Sequence, residues 1–175
     1  MTEKTDGIRR KRADRAMPDS FDRRILAELA RDATQSFAEL SAKVALSPPA
    51  VHERVRRLKQ SGVIRDTVAR IDPAAVGKPL TAFVHVEAAG WGKSERLLAL
   101  SRYPEVEEMH SVAGDASMII KVRTQSPQAL EHLLGQIHSI DGVKGTKSFV
   151  ALSTYLDRPV QAEVTADWPD VPMPE

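Results

Sequence analysis

Apolar residues recur along this chain with two different periods, and the change falls near residue 70. Before it the spacing is helical. Phe21, Ile25, Leu26 and Leu29 share one face behind Asp19 or Ser20, either of which can cap a helix start. Ser36 and Glu39 have capping-box spacing, in which each side chain satisfies the other residue's free N–H; Phe37, Leu40 and Val44 follow at helical spacing. A third helix is predicted from Ser47, with Pro48 in its first turn, where the missing N–H costs nothing. Val51, Val55 and Leu58 form its inner stripe, and Gly62 stops it. Only Ala45 and Leu46 separate the second and third helices. So short a turn forces a steep crossing, the helix-turn-helix arrangement whose second member enters the major groove of DNA. After Gly62, the alternation in VIRDTVARID predicts a short strand pair, a wing.

Beyond residue 70 strands and helices alternate. LTAFVHVEA at 80–88 places Ala82, Val84 and Val86 on one face and Thr81, Phe83, His85 and Glu87 on the other. The Gly90-Trp91-Gly92 turn precedes a short amphipathic helix that ends before Pro104. Strands follow at 106–114 and 117–124, joined tightly through Gly114–Ala116. A helix opens at Ser126–Pro127 with Leu130, Leu133, Leu134 and Ile137 inside, and a last strand is read at 142–156. The predicted fold is α+β: a winged helix-turn-helix domain, then a ferredoxin-like βαββαβ (ACT-like) dimerisation domain with both helices on one sheet face. Phe83, Met109, Ile119 and Phe149 are expected among the residues lining the other face, which a second copy would cover.

Charge adds a division of labour. The formal net charge of the 175 residues is +1, but residues 1–70 hold 16 basic and 10 acidic side chains, and residues 71–175 hold 9 and 14. A basic first half suits a nucleic-acid surface. At about 100° per residue, Pro49, His52, Glu53, Arg56, Arg57 and Gln60 face away from the third helix's apolar stripe, with Arg54 and Lys59 on the flanks. Ser47, Pro49, Ala50, His52, Glu53, Arg54, Arg56, Arg57, Lys59 and Arg65 are the candidate DNA-binding residues. Arg56 and His52 are assigned to base edges, with Pro49 or Ala50 against a thymine methyl; Arg54, Arg57 and Lys59 are assigned to phosphates, and Arg65 in the wing could meet one too.

Five segments result: a basic arm at 1–18 whose RRKR run (9–12) can touch phosphate, the DNA-binding domain at 19–70, a linker at 71–79, the oligomerisation domain at 80–157, and an acidic, proline-rich tail at 158–175. Val160, Val164 and Trp168 could tether that tail. With no cysteine there is no disulfide, thiolate metal site or thiol nucleophile. No run approaches the roughly 18 apolar residues of a membrane helix, and the charged N-terminus is unlike a signal peptide, so the expected setting is cytoplasmic. His85 and His110 are the one histidine pair that neighbouring strands would bring together, and two polar strand residues are the favoured reading of it. No catalytic constellation, metal site or cofactor site is read.

DSFDRRIL at 19–26, FAELSAKVALSPPAVHERVRRLKQSGVIR at 37–65 and IDPAAVGKPLTAFVHV at 71–86 resemble the Lrp/AsnC (feast/famine) transcriptional regulators. PEVEEMHSVAGDASMIIKV at 104–122 and SIDGVKGTKSFVALS at 139–153 extend the resemblance over residues 19–156. It implies a sequence-specific regulator binding double-stranded DNA, a homodimer with assembly of dimers up to octamers, and control by an amino acid or related metabolite between subunits. It also places the effector residues at Gly114, Asp115, Ala116 and Ser117. Many members carry Gly-Asp-Tyr-Asp-Tyr there; this chain reads Gly114-Asp115-Ala116-Ser117-Met118, losing an acid and both tyrosines. The lost carboxylate is a partner for an ammonium group, which puts a standard amino-acid effector in question. Two alternatives share the scaffold: a tetrapyrrole-modifying enzyme of the siroheme decarboxylase kind using His85 or His110, and a metabolite-binding module with a vestigial first domain.

Overall fold

A computed structural model describes residues 17–89 and 95–163. The expectations for the RRKR arm, the Gly90-Trp91-Gly92 turn, Val164 and Trp168 lie outside the described residues. The chain divides into two compact units. One runs to Val68 and takes in the chain again from Asp157; the other is Ala69–Leu156.

The first unit holds α1 (Ser20–Arg31), α2 (Phe37–Val44) and α3 (Pro48–Gln60). Asp19 caps α1, and its partner in a reciprocal capping box is Asp22. Ser36 and Glu39 form the same device on α2, with Glu39 N–H donating to Ser36 Oγ at 3.2 Å and Ser36 N–H to Glu39 Oε2 at 2.7 Å. These caps occupy N–H groups that a helix leaves without intrahelical partners. The three apolar stripes meet in a core of Ile25, Leu40, Val44, Val51, Val55 and Leu58, with Leu26, Leu29, Leu46, Val63 and Ile64 packed against it. The expected wing is absent. Val63 and Ile64 are consecutive, yet both turn into this core, and Ile64 N–H donates to the Leu58 carbonyl at 3.0 Å. Residues 65–72 carry no strand, and Val68 and Ile71 stay exposed. The returning segment is tied to α1 by polar contacts, Arg31 to Glu163 at 3.0 Å and Arg23 to the Ala162 carbonyl at 3.5 Å, while Val160 is 87% exposed and tethers nothing.

The second unit runs β1 (Leu80–Ala88), α4 (Glu95–Leu98) continued by a 3-10 turn (Ala99–Arg102), β2 (Val106–Ser111), β3 (Met118–Thr124), α5 (Pro127–His138) and β4 (Val143–Val150). The sheet order β2-β3-β1-β4, antiparallel throughout, is the ferredoxin-like arrangement. One face buries Ala82, Val84, Val86, Met118, Ile120 and Val122 under Leu97, Leu100, Leu130, Leu133 and Ile137.

The opposite face carries Phe83 directly across from Phe149, both partly exposed, with the His85 ring 5.0 Å from Phe149. Met109 is not on it. A bulge between Val106 and Glu108 shifts β2 by one residue, which moves Met109 opposite Ile120 and into the core. Charged pairs fill the vacated positions: Lys121 bridges Glu107 and Glu108, and Arg123 binds Glu107 at 2.7 Å. His110 and Lys121 beside Glu108 hold its carboxyl below the ordinary value. His85 and His110 are not on neighbouring strands, since β3 lies between them and both are in register with Ile119. Among the described residues no cluster of three or more potential ligands could hold a metal ion.

Candidate nucleic-acid interface

The turn between α2 and α3 is made by Ala45, whose backbone is left-handed (φ 56°, ψ 47°), followed by Leu46 and Ser47. The Ala45 N–H and, at 3.3 Å, the Leu46 N–H both return to the Ser41 carbonyl. A side chain in that conformation is strained, and the gain is a reversal short enough to seat Val51 against Leu40 and Val44 in one core. With Val51, Val55 and Leu58 facing inward, the helix presents most of its remaining positions to solvent.

Ser47, at the start of α3, makes no side-chain cap bond. Pro49, His52, Glu53, Arg56, Arg57 and Lys59 are exposed and Ala50 is half-buried. The His52 ring packs edge-on against Phe37 of α2, centroids 5.0 Å apart at 74°, which orients it on the outer surface. Arg56 holds Glu53 by two parallel bonds, Nε to Oε2 at 2.9 Å and Nη2 to Oε1 at 2.7 Å. The guanidinium keeps the Glu53 carboxyl below its usual range. Arg65 lies exposed beyond Gly62 in the segment without a strand.

Arg54 departs from expectation. The helical wheel sets it at a flank, free for phosphate; the structure folds it against α1. Its Nη1 donates to Asp19 Oδ2 at 2.6 Å and to Asp22 Oδ1 at 2.8 Å, and its guanidinium lies 5.4 Å from the Phe21 ring centre. Asp22, only 3% exposed, also accepts from Arg57 Nη2 at 2.9 and 3.1 Å. The α1 cap and the α3 arginines thus form one network. The carboxyl of Asp19 is depressed first by the Asp22 N–H and then by Arg54. Asp22 went unnoticed in the sequence, although its spacing from Asp19 is that of a capping pair.

The segment expected to meet an effector is the turn between β2 and β3. Gly114 has φ 137°, a conformation that favours glycine, and Asp115 is exposed. Ala116 is nearly buried. Ser117 is committed to the sheet: its hydroxyl accepts from Ala88 N–H at 3.2 Å and reaches the Ala88 carbonyl at 3.3 Å, while its own N–H donates to the Val86 carbonyl at 2.9 Å. This hydroxyl finishes β1, and only Asp115 among the four offers a charge.

Comparison with known proteins covers both units. Residues 19–59 match the AsnC-type helix-turn-helix domain and residues 81–161 match the Lrp/AsnC ligand binding domain. The chain is 41% identical over 142 residues to the HTH-type transcriptional regulator LrpA of Mycobacterium tuberculosis, covering 80% of this chain and 94% of the relative. It is 36% identical over 137 residues to the HTH-type transcriptional regulator FL11 of Pyrococcus horikoshii, covering 78% and 91%. Among solved structures, a feast or famine regulatory protein from M. tuberculosis complexed with L-methionine superposes with a TM-score of 0.74 at 38% identity, covering 81% of this chain and 96% of that one.

Proposed function

We propose, from the premise that this chain belongs to the Lrp/AsnC family of transcriptional regulators, that α3 is the helix that reads the DNA duplex and Arg56 its leading contact with base edges. The family is one of regulators, and the tetrapyrrole-modifying reading is withdrawn with that assignment. The observation that carries the proposal is the sorting of α3: Val51, Val55 and Leu58 are buried, whereas His52, Arg56, Arg57 and Lys59 stand exposed. Lys59 and Arg57, which is 58% exposed although its Nη2 also holds Asp22, serve phosphates, which supply most of the affinity, while His52 and Arg56 serve base edges. Pro49 and Ala50 offer apolar contact, and Ser47, at the helix N-terminus, donates to a phosphate. Binding to a duplex from the protein's own upstream region is expected to weaken steeply as salt rises; binding that is absent, or indifferent to salt, overturns the proposal.

The second unit is read as the sensing and pairing part. The sheet face bearing Phe83, His85, Ile119 and Phe149 covers the same face of a second copy, giving a two-fold dimer whose recognition helices meet two half-sites, with dimers assembling up to octamers. The effector is an amino acid or related metabolite held between subunits near Gly114–Ser117. Support comes from the L-methionine in the M. tuberculosis structure, set against the loss of a carboxylate in this chain's turn. A thermal-shift screen beginning with L-methionine tests it, because a ligand that binds only the folded state raises the melting temperature. No shift with any amino acid or related metabolite would leave a regulator without such an effector. The expected setting is the cytoplasm; among the described residues no helix is long and apolar enough to cross a membrane.

A further inference from the structure

We infer that Glu53 is a specificity-determining residue, which holds Arg56 for a guanine and takes the amino group of a neighbouring cytosine with its own free lone pairs. The inference rests on α3 being the reading helix. Glu53 is the lone acid on that helix, and its side chain is 60% exposed at the middle of a surface otherwise supplied with cations. Against a polyanion such a charge is a penalty. It repels phosphates and loses its water on entering a groove, so it weakens docking on duplexes of arbitrary sequence.

The geometry shows what the penalty is set against. A guanidinium has five N–H donors, and Arg56 gives Glu53 one from Nε and one from Nη2. The outer edge, formed by Nη1 and the second Nη2 hydrogen, is left to donate side by side to guanine O6 and N7. A side chain already fixed by two bonds has less freedom to lose when it binds. The carboxylate retains further acceptor positions after its two bonds to Arg56. In the major groove cytosine offers an N4 donor with no adjoining acceptor, whereas adenine sets its N6 donor beside N7 and guanine and thymine present acceptors. A carboxylate therefore fits cytosine and is opposed elsewhere. Residues three apart on a helix differ by about 4.5 Å along its axis, close to the roughly 3.4 Å between base pairs, so the two side chains can address adjacent pairs. The contrast with Asp22 sharpens the assignment. Asp22 also holds arginines of α3 but is buried beneath the helix and cannot reach a base.

The test measures affinity for a site enriched from a random duplex pool by the wild-type protein and for its scrambled counterpart, using Glu53→Gln and Glu53→Ala in the full chain. The variants should bind the scrambled duplex more tightly, with a salt dependence steeper by about one phosphate contact. They should also lose on the order of tenfold in discrimination between the two duplexes. Re-selection with Glu53→Ala should drop a cytosine preference next to a guanine. Melting temperature should stay at the wild-type value, since an exposed pair three residues apart contributes little to folding. Unchanged or improved discrimination overturns the role of Glu53. If Arg56→Ala and Lys59→Ala also leave binding untouched, the reading of α3 itself fails; if they weaken it while Glu53 variants are silent, only the present inference does.

Discussion

Arg54 and Arg56 sit two positions apart on α3, and both are engaged by carboxylates, yet they belong to different kinds of surface. Arg54, with its side chain 25% exposed, binds an aspartate that is almost wholly buried and comes from another helix. Arg56, 54% exposed, binds a glutamate of its own helix that is itself in solvent. The first pair is part of how the domain is built, because a buried carboxylate must be paired to be tolerated. The second contributes little to folding and is free to exchange partners. Charge alone does not make a binding residue; what the charge is already committed to decides.

The largest effect should therefore come from the inner pair. Arg54→Ala leaves Asp22 with Arg57 and the Asp19 N–H, and is expected to destabilise the helix-turn-helix unit by about 2–3 kcal/mol in denaturant titration, below the full cost of orphaning a buried charge. A loss comparable to that of an exposed pair would erase the distinction. Acid should act on the caps of α1 and α2. The carboxyls of Asp19 and Glu39 lie below their ordinary 3.8 and 4.5 in the folded chain. Groups with depressed folded values stabilise fully above the ordinary value and lose that contribution as pH falls through the folded one. Thermal melts should thus be level above the ordinary values and decline as pH falls from them toward the folded ones; a melting temperature that rises on acidification would contradict these caps. The smallest effect lies in the turn between α2 and α3. Ala45→Gly relieves a left-handed alanine at the expense of a more flexible unfolded chain, and a net gain of roughly 0.5–1 kcal/mol is expected by calorimetry. A loss there would show that the methyl group packs.

Much of this was legible in the sequence, for identifiable reasons. The three helices and the βαββαβ order follow from apolar stripes whose members are in fact buried, such as Val51, Val55 and Leu58 or Ala82, Val84 and Val86. Ser36 and Glu39 declared a helix start through a purely local motif. The misreadings came from events that a period does not encode. A bulge in β2 reversed the parity of Met109. Val63 and Ile64 read as alternation's beginning but close the helical core instead. Arg54 looked free because a helical wheel shows one helix, whereas its partners Asp19 and Asp22 arrive from another.

The division between an arginine that builds and an arginine that reads is tested most directly by Arg56→Ala. Its affinity for the enriched site should fall by about 1–3 kcal/mol, its preference over the scrambled duplex should relax, and its melting temperature should match the wild type. Retained affinity and preference, or a drop in melting temperature as large as that of Arg54→Ala, would contradict it.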